Sequence, residues 1–281
     1  MNFNKIKSYA KINLALNILG RTKFYHKIES IISFIDLHDE IFIKEIKSKR
    51  HKIMFYGKFS KNIEKNNTIS KLLNLLEKKK FLKNKKFFIK IKKEVPSKAG
   101  FGGGSMNASN ILKYLKKKNI IKIKEKEIKN ICYLIGSDVI LGLNSTSAII
   151  KSKREIKFFK NCDKFHVLLV KPDFGCSTKE IYSKVKRLNK PQFQKPNKNM
   201  FKFDFLKKTN NFLEPIAFSL YPKLKSIKFY LENSLDPLFV RMTGSGSALV
   251  AYYRSKGICK SAKKKFNQKY KNYWCISSKT I

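Results

Sequence analysis

The chain has 281 residues and 32.8 kDa, 42% of its residues are apolar, and 63 Lys and Arg against 19 Asp and Glu give a formal charge of +44. This length exceeds a usual single domain of about 100–150 residues, and the evenly spread apolar content excludes wholesale disorder. Lysines and other polar residues interrupt every hydrophobic stretch well before the roughly 18 residues a membrane-spanning helix requires.

In chain order, Phe3 to Leu19 alternates as a strand, Ile41 to Glu45 and Lys52 to Tyr56 are short β-rich runs, and Thr68 to Glu77 has helical spacing. Phe87 to Lys93 reads as a strand that enters a glycine-dense loop from Pro96 to Gly104, followed by a helix from Ser105 to about Lys117. Glu125 to Leu134 is predicted helical, Ser147 to Ile150 and His166 to Val170 are predicted strands, and Lys179 to Lys186 and Pro215 to Leu231 are predicted helices. Leu238 to Met242, Ala248 to Tyr252 and Tyr273 to Ile276 complete the strands, with a helix from about Gly257 to Phe266 among them. The mixture is α+β, and Lys190 to Asn199, with Pro191 and Pro196, reads as a surface excursion.

The charge by itself would suggest nucleic-acid binding. It is nearly all lysine, is dispersed through every predicted element, and comes with Asn, Ile, Phe and Tyr, which share A/T-rich codons; the six arginines are scattered. Codon composition accounts for this better than a polyanion site, so no specific nucleic-acid partner is expected. The first residues lack the apolar core and cleavage site of a signal peptide. Cys132, Cys162, Cys176, Cys259 and Cys275 are odd in number, far apart and without a C-x-x-C pair, so neither a disulfide framework nor a zinc site is expected. A reducing cytoplasmic setting follows as the expectation.

The strongest chemical signal is Gly100-Phe101-Gly102-Gly103-Gly104-Ser105 between a strand and a helix. Such a loop bares successive backbone N–H groups and points a helix N-terminus at an anion, with phosphate the obvious ligand. Ser105 is placed to cap the helix and to offer its hydroxyl to phosphate or Mg²⁺. No Lys-Ser or Lys-Thr follows the glycines as a P-loop demands, and the loop lies too far along the chain for an opening dinucleotide fingerprint.

The stretch Pro96-Ser97-Lys98-Ala99-Gly100-Phe101-Gly102-Gly103-Gly104-Ser105-Met106-Asn107-Ala108 resembles the second motif of the GHMP kinases, Pro-x-x-x-Gly-Leu-Gly-Gly-Gly-Ser-Ser-x-Ala, without gaps. Ala10-Lys11-Ile12-Asn13-Leu14 and Met242-Thr243-Gly244-Ser245-Gly246-Ser247 are similar to two further motifs of that family, in the expected order. Leu19-Gly20-Arg21 and then Tyr25-His26-Lys27-Ile28-Glu29-Ser30 resemble the branch acting on a cytidine-diphosphate-linked branched polyol. Asn67, Gly136-Ser137-Asp138-Val139, and Leu213-Glu214-Pro215 through Tyr221-Pro222 carry the resemblance over almost the whole chain. Lys98, Phe101 and Ile140 depart from the family pattern, as does Lys151-Ser152-Lys153-Arg154-Glu155 in place of Gly-x-Gly-Glu.

The resemblance implies a two-domain GHMP kinase fold, with a ribosomal protein S5 domain 2-like N-terminal domain over 1–155 and a ferredoxin-like C-terminal domain over 156–281. It implies an ATP- and Mg²⁺-dependent small-molecule kinase of isoprenoid-precursor biosynthesis, without a membrane partner and monomeric or weakly dimeric. Asp138 is the implied base, with Lys11 beside it holding the carboxylate ionised and Asn13 on the same strand face. Tyr25, His26 and Tyr182 would take the cytosine. Pro96, Ala99, Gly100, Gly102, Gly103, Gly104, Ser105 and Asn67 would line the nucleotide, Gly244 would let a second loop approach the substrate, and no protein metal site is implied.

Overall fold

The computed structural model describes residues 2–22, 26–151 and 155–281. The alternation read near the N-terminus is strand β1 (Asn4–Arg21), and it pairs with an even longer strand, β2 (His26–Ile46). Only the end of β2 was legible from periodicity. Its middle, from Glu29 to Ile35, is buried on both faces and so reads as a continuous run instead of an alternation.

Contacts divide the chain into two units. One comprises Met1–Ala10, Leu37–Ser97 and Gly102–Ser145, the other Lys11–Asp36, Lys98–Phe101 and Thr146–Ile281.

In the first unit, β3 (Lys52–Tyr56) runs parallel to β4 (Lys86–Lys92), which is antiparallel to the end of β2. Ile41, Ile43, Ile89 and Ile91 point to the core, while the alternate positions Phe42, Lys44, Phe88 and Lys90 stay half-exposed. Helix α1 (Thr68–Lys78) follows from Ile69, Leu72, Leu73 and Leu76 on one face and from a capping box between Asn67 and Ser70. It packs with α2 (Gly103–Lys117) and α3 (Glu125–Ile135), and α2 packs with a 3₁₀ turn at Val139–Leu143.

In the second unit, β5 (Ser147–Ile150) pairs with β2 and with β6 (Ile156–Phe159). β7 (His166–Lys171), β8 (Phe239–Met242), β9 (Leu249–Tyr253) and β10 (Trp274–Lys279) form an antiparallel sheet in the order β10-β7-β9-β8. Helices α4 (Thr178–Ser183), α5 (Phe203–Lys207), α6 (Glu214–Leu220) and α7 (Pro222–Ser234) lie between β7 and β8, and α8 (Lys256–Lys269) between β9 and β10. This connectivity and strand order are those of a ferredoxin-like fold. Leu168, Val170, Ile181, Leu213, Leu224, Ile227, Leu231, Val240, Leu249 and Phe266 fill its core.

The single helix predicted over 215–231 is two helices, α6 and α7. Pro222 has no N–H and disfavours helical torsions at the residue before it, and Tyr221 sits at φ −131°, ψ 75°. Strand β6 and helix α5, four and five residues long, were not anticipated. The excursion at 190–199 is anchored by the buried carboxylate of Glu29. It accepts from the amides of Gln192 at 2.7 Å and Phe193 at 3.0 Å and from Asn17 Nδ2 at 2.9 Å.

Candidate active site

The glycine loop takes its shape from left-handed backbone at Lys98, Gly100 and Gly102, with φ of 51°, 77° and 69°. A Cβ built on Gly100 would lie 1.9 Å from the carbonyl oxygen of Thr243, so no other residue fits there without moving the chain. Lys98 adopts a left-handed conformation that glycine takes at less cost than a residue with a Cβ. Gly100→Ala is expected to lower stability by about 2–3 kcal/mol, from a strained φ and overpacking together. Chemical denaturation would measure the loss, and a midpoint equal to the parent's would contradict this packing.

Helix α2 starts earlier than the sequence indicated. Its N-cap is Gly102, which makes no side-chain cap bond, so Ser105 lies inside the first turn and does not cap it. The first amides of α2 are thus left uncovered by any side-chain cap, at the positive end of the helix dipole. Within the same unit, Thr68 Oγ1 donates to the carbonyl of Gly104 at 2.8 Å, tying the start of α1 to this turn. The Asn67 side chain accepts from the amides of Ile69 and Ser70 and donates to the carbonyls of Glu64 and Lys65, so it is committed to capping α1.

Asp138 lies on the turn that the sequence singled out. The turn adjoins α2: a Cβ on Gly136 would be 3.8 Å from Ser105 Oγ, and one on Gly142 would be 2.7 Å from Ser109 Cβ. Asp138 is half-buried and occupies the N-cap position of the 3₁₀ turn without a side-chain cap bond.

One group escaped the sequence reading entirely. Asp39, fully buried, pairs with the buried ammonium of Lys93 and accepts from Asn107 Nδ2 at 2.8 Å, from the Glu94 amide at 2.9 Å and from the Val95 amide at 2.8 Å. Lys93 Nζ lies 3.3 Å from where a Gly103 Cβ would stand, so this network sits directly behind the start of α2. An aspartate inside a long strand of a lysine-rich chain gives no sequence signal of such a role.

In the second unit, Lys11 and Asn13 are both 4% exposed, and Lys11 Nζ donates to Asn13 Oδ1 at 2.6 Å. Asn13 Nδ2 donates to Ser30 Oγ at 2.8 Å, and the Asn13 amide donates to Thr243 Oγ1 at 3.1 Å. Thr243 Oγ1 is 3.2 Å from the Gly100 carbonyl oxygen, and the Lys11 amide donates to the Phe101 carbonyl at 3.0 Å. Gly244 packs on the Cα of Gly100, where its own Cβ would be at 3.4 Å. Three motifs far apart in sequence, around residues 11–13, 98–101 and 243–244, therefore meet at one place.

Tyr25 lies outside the described residues. His26 and Tyr182 come together with ring centroids 5.1 Å apart. Burial, and after it the Arg21 guanidinium, hold the His26 imidazole below its ordinary pKa. Its Nε2 is buried and has no hydrogen-bond partner among the described residues. Pro96 and Ala99 are buried in the loop's walls. Among the described residues no cluster of three or more His, Cys, Asp or Glu is placed to hold a metal ion, and no helix is long and apolar enough to cross a membrane. All five cysteines are free thiols.

An uncapped, glycine-built helix start, a buried lysine-asparagine pair and a ferredoxin-like unit are the features of a small-molecule kinase of the GHMP class. The profile of the GHMP kinases N terminal domain matches residues 67–150. The chain is 57% identical over 281 residues, all of both proteins, to the 4-diphosphocytidyl-2-C-methyl-D-erythritol kinase of Pelagibacter ubique. It is 34% identical over 256 residues, 87% of this chain and 96% of the relative, to the Petrotoga mobilis kinase of the same name. A crystal structure of 4-(cytidine 5'-diphospho)-2C-methyl-D-erythritol kinase superposes with a TM-score of 0.79 at 20% identity, covering 99% of this chain and 100% of that one. The chain belongs to the 4-diphosphocytidyl-2-C-methyl-D-erythritol kinase family of the GHMP kinases.

Proposed function

We propose that the chain transfers the γ-phosphoryl group of ATP to the 2-hydroxyl of 4-diphosphocytidyl-2-C-methyl-D-erythritol, giving the 2-phosphate and ADP, in the cytoplasmic non-mevalonate route to isoprenoid precursors. The observation that carries this reading is the start of α2 on Gly102, with backbone amides open to an anion and no side chain capping them. When bound, ATP supplies the transferable phosphoryl group, and Mg²⁺ neutralises charge between its phosphates.

The residues divide the remaining work. Gly100, Gly102, Gly103, Gly104 and Ser105 give amides and a hydroxyl to the phosphates, with Pro96 and Ala99 shaping the loop and Asn67 fixing the α1 start near the base. Asp138 accepts the proton of the attacking hydroxyl as the P–O bond forms and the bond to ADP breaks. Lys11 and Asn13 orient the alcohol through donors already fixed by their mutual hydrogen bond. Gly244 keeps the opposing turn low enough for the substrate to approach.

His26 presents an unpartnered buried nitrogen beside an aromatic ring, which is what recognition of a cytosine edge and face requires. Tyr25 would supply one ring of the stack and Tyr182 the second. Tyr182→Ala is expected to raise KM for the cytidylylated substrate about 5- to 150-fold, the equivalent of about 1–3 kcal/mol of stacking, while KM for ATP stays within twofold. Steady-state kinetics with each substrate varied would reveal a contrary result as equal changes in both constants.

The deciding experiment offers Mg·ATP with four alcohols in turn: the cytidylylated methylerythritol, unmodified methylerythritol, homoserine and mevalonate. ADP release is expected with the first alone. Release with homoserine or mevalonate and none with the first would assign the chain to a different acceptor.

A further inference from the structure

The second unit contains a cavity of about 920 Å³ that none of the residues assigned above to phosphoryl transfer or cytosine recognition lines. Small-molecule sites typically measure about 300–1,000 Å³. Lys184, Lys186, Arg187 and Lys225 stand around it, and none of the four makes an ion pair or a side-chain hydrogen bond with a described residue. Phe212, Ile216 and Phe218 provide an apolar wall, and Asn189, Asn210 and Ser219 add neutral polar groups.

Unpaired cations are common on a chain with 63 Lys and Arg. These four differ in surrounding a concavity with an apolar wall, and one of them is an arginine, whose planar fork suits phosphate. The acidic group in the lining, Glu214, is already neutralised. Its Oε2 accepts from Lys228 Nζ at 2.5 Å and its Oε1 from the Met242 amide at 2.7 Å. An anion entering the cavity therefore meets an uncompensated positive rim.

We propose that this cavity is a binding site for a small organophosphate, its phosphate taken by Arg187 and the neighbouring lysines and its aromatic or hydrocarbon body laid against Phe212, Ile216 and Phe218. The site is separate from the residues assigned to the reaction and does not depend on that assignment. Its inner wall is nevertheless continuous with the turn carrying Thr243 and Gly244, because Asn211 Nδ2 donates to the carbonyls of Met242 and Gly244 at 2.7 Å each. Asn211 and Glu214 brace that turn and are therefore unsuitable for substitution in a test.

Isothermal titration calorimetry on the full chain, with a non-hydrolysable ATP analogue at saturation to fill the glycine loop, tests the proposal using phenyl phosphate and inorganic phosphate as probes. Phenyl phosphate is expected to bind at least tenfold more tightly than inorganic phosphate. The pair Arg187→Glu and Lys225→Glu should weaken it at least tenfold, Ile216→Asp should remove the preference for the phenyl group, and Lys256→Glu with Lys260→Glu on α8 should change nothing. No measurable binding at millimolar probe, equal affinity for the two probes, or equal losses in the cavity and α8 variants would overturn it.

Discussion

Asp138→Asn is expected to lower kcat by about 10²- to 10⁴-fold, the usual contribution of a positioned base, with KM for ATP and for the alcohol changed by no more than a few-fold. The fold should be little affected, since Asp138 is half-buried and asparagine matches its size and shape. The isosteric change keeps the volume and removes the negative charge and the second acceptor, so a loss confined to kcat marks a group acting on the reacting atoms. A variant turning over within threefold of the parent would remove Asp138 from the reaction and leave proton transfer to solvent.

Asp39→Ala is expected to cost about 3–5 kcal/mol of stability, because it strands the buried Lys93 ammonium and leaves the Glu94 and Val95 amides without acceptors. At roughly 2–4 °C per kcal/mol for a chain of this size, the melting temperature should fall by about 6–20 °C. KM for ATP should rise as well, since this network stands behind the first residues of α2. Replacing both partners, as Asp39→Asn with Lys93→Met, should recover part of the loss, because removing a buried pair together costs less than stranding one member. A single Asp39→Ala variant as stable as the parent would show that the ion pair contributes nothing there.

The sequence alone determined whatever rests on local chemistry. Glycines between a strand and an amphipathic segment mark a loop that leads into a helix, and the spacing of Ile69, Leu72, Leu73 and Leu76 admits one helix and one buried face. The motifs at 10–14, 96–108 and 242–247, read together, also gave the family, because each is a contiguous run whose residue types are individually demanded. Periodicity failed wherever burial was two-sided, as in the middle of β2, or where one proline outweighed a helical pattern, as at Pro222.

Tertiary structure decided what depends on distance in space between residues distant in sequence. Gly100 is obligatory because the Thr243 carbonyl, 143 positions further along, occupies the place of its Cβ. Asp39 matters because β4 and α2 bring a lysine, two amides and an asparagine to its carboxylate. The cavity in the second unit exists because the chain after α4 and the stretch entering α6 enclose a common space. No window of sequence contains these neighbours, since each arises from packing that satisfies buried polar groups and fills volume only after the chain has folded.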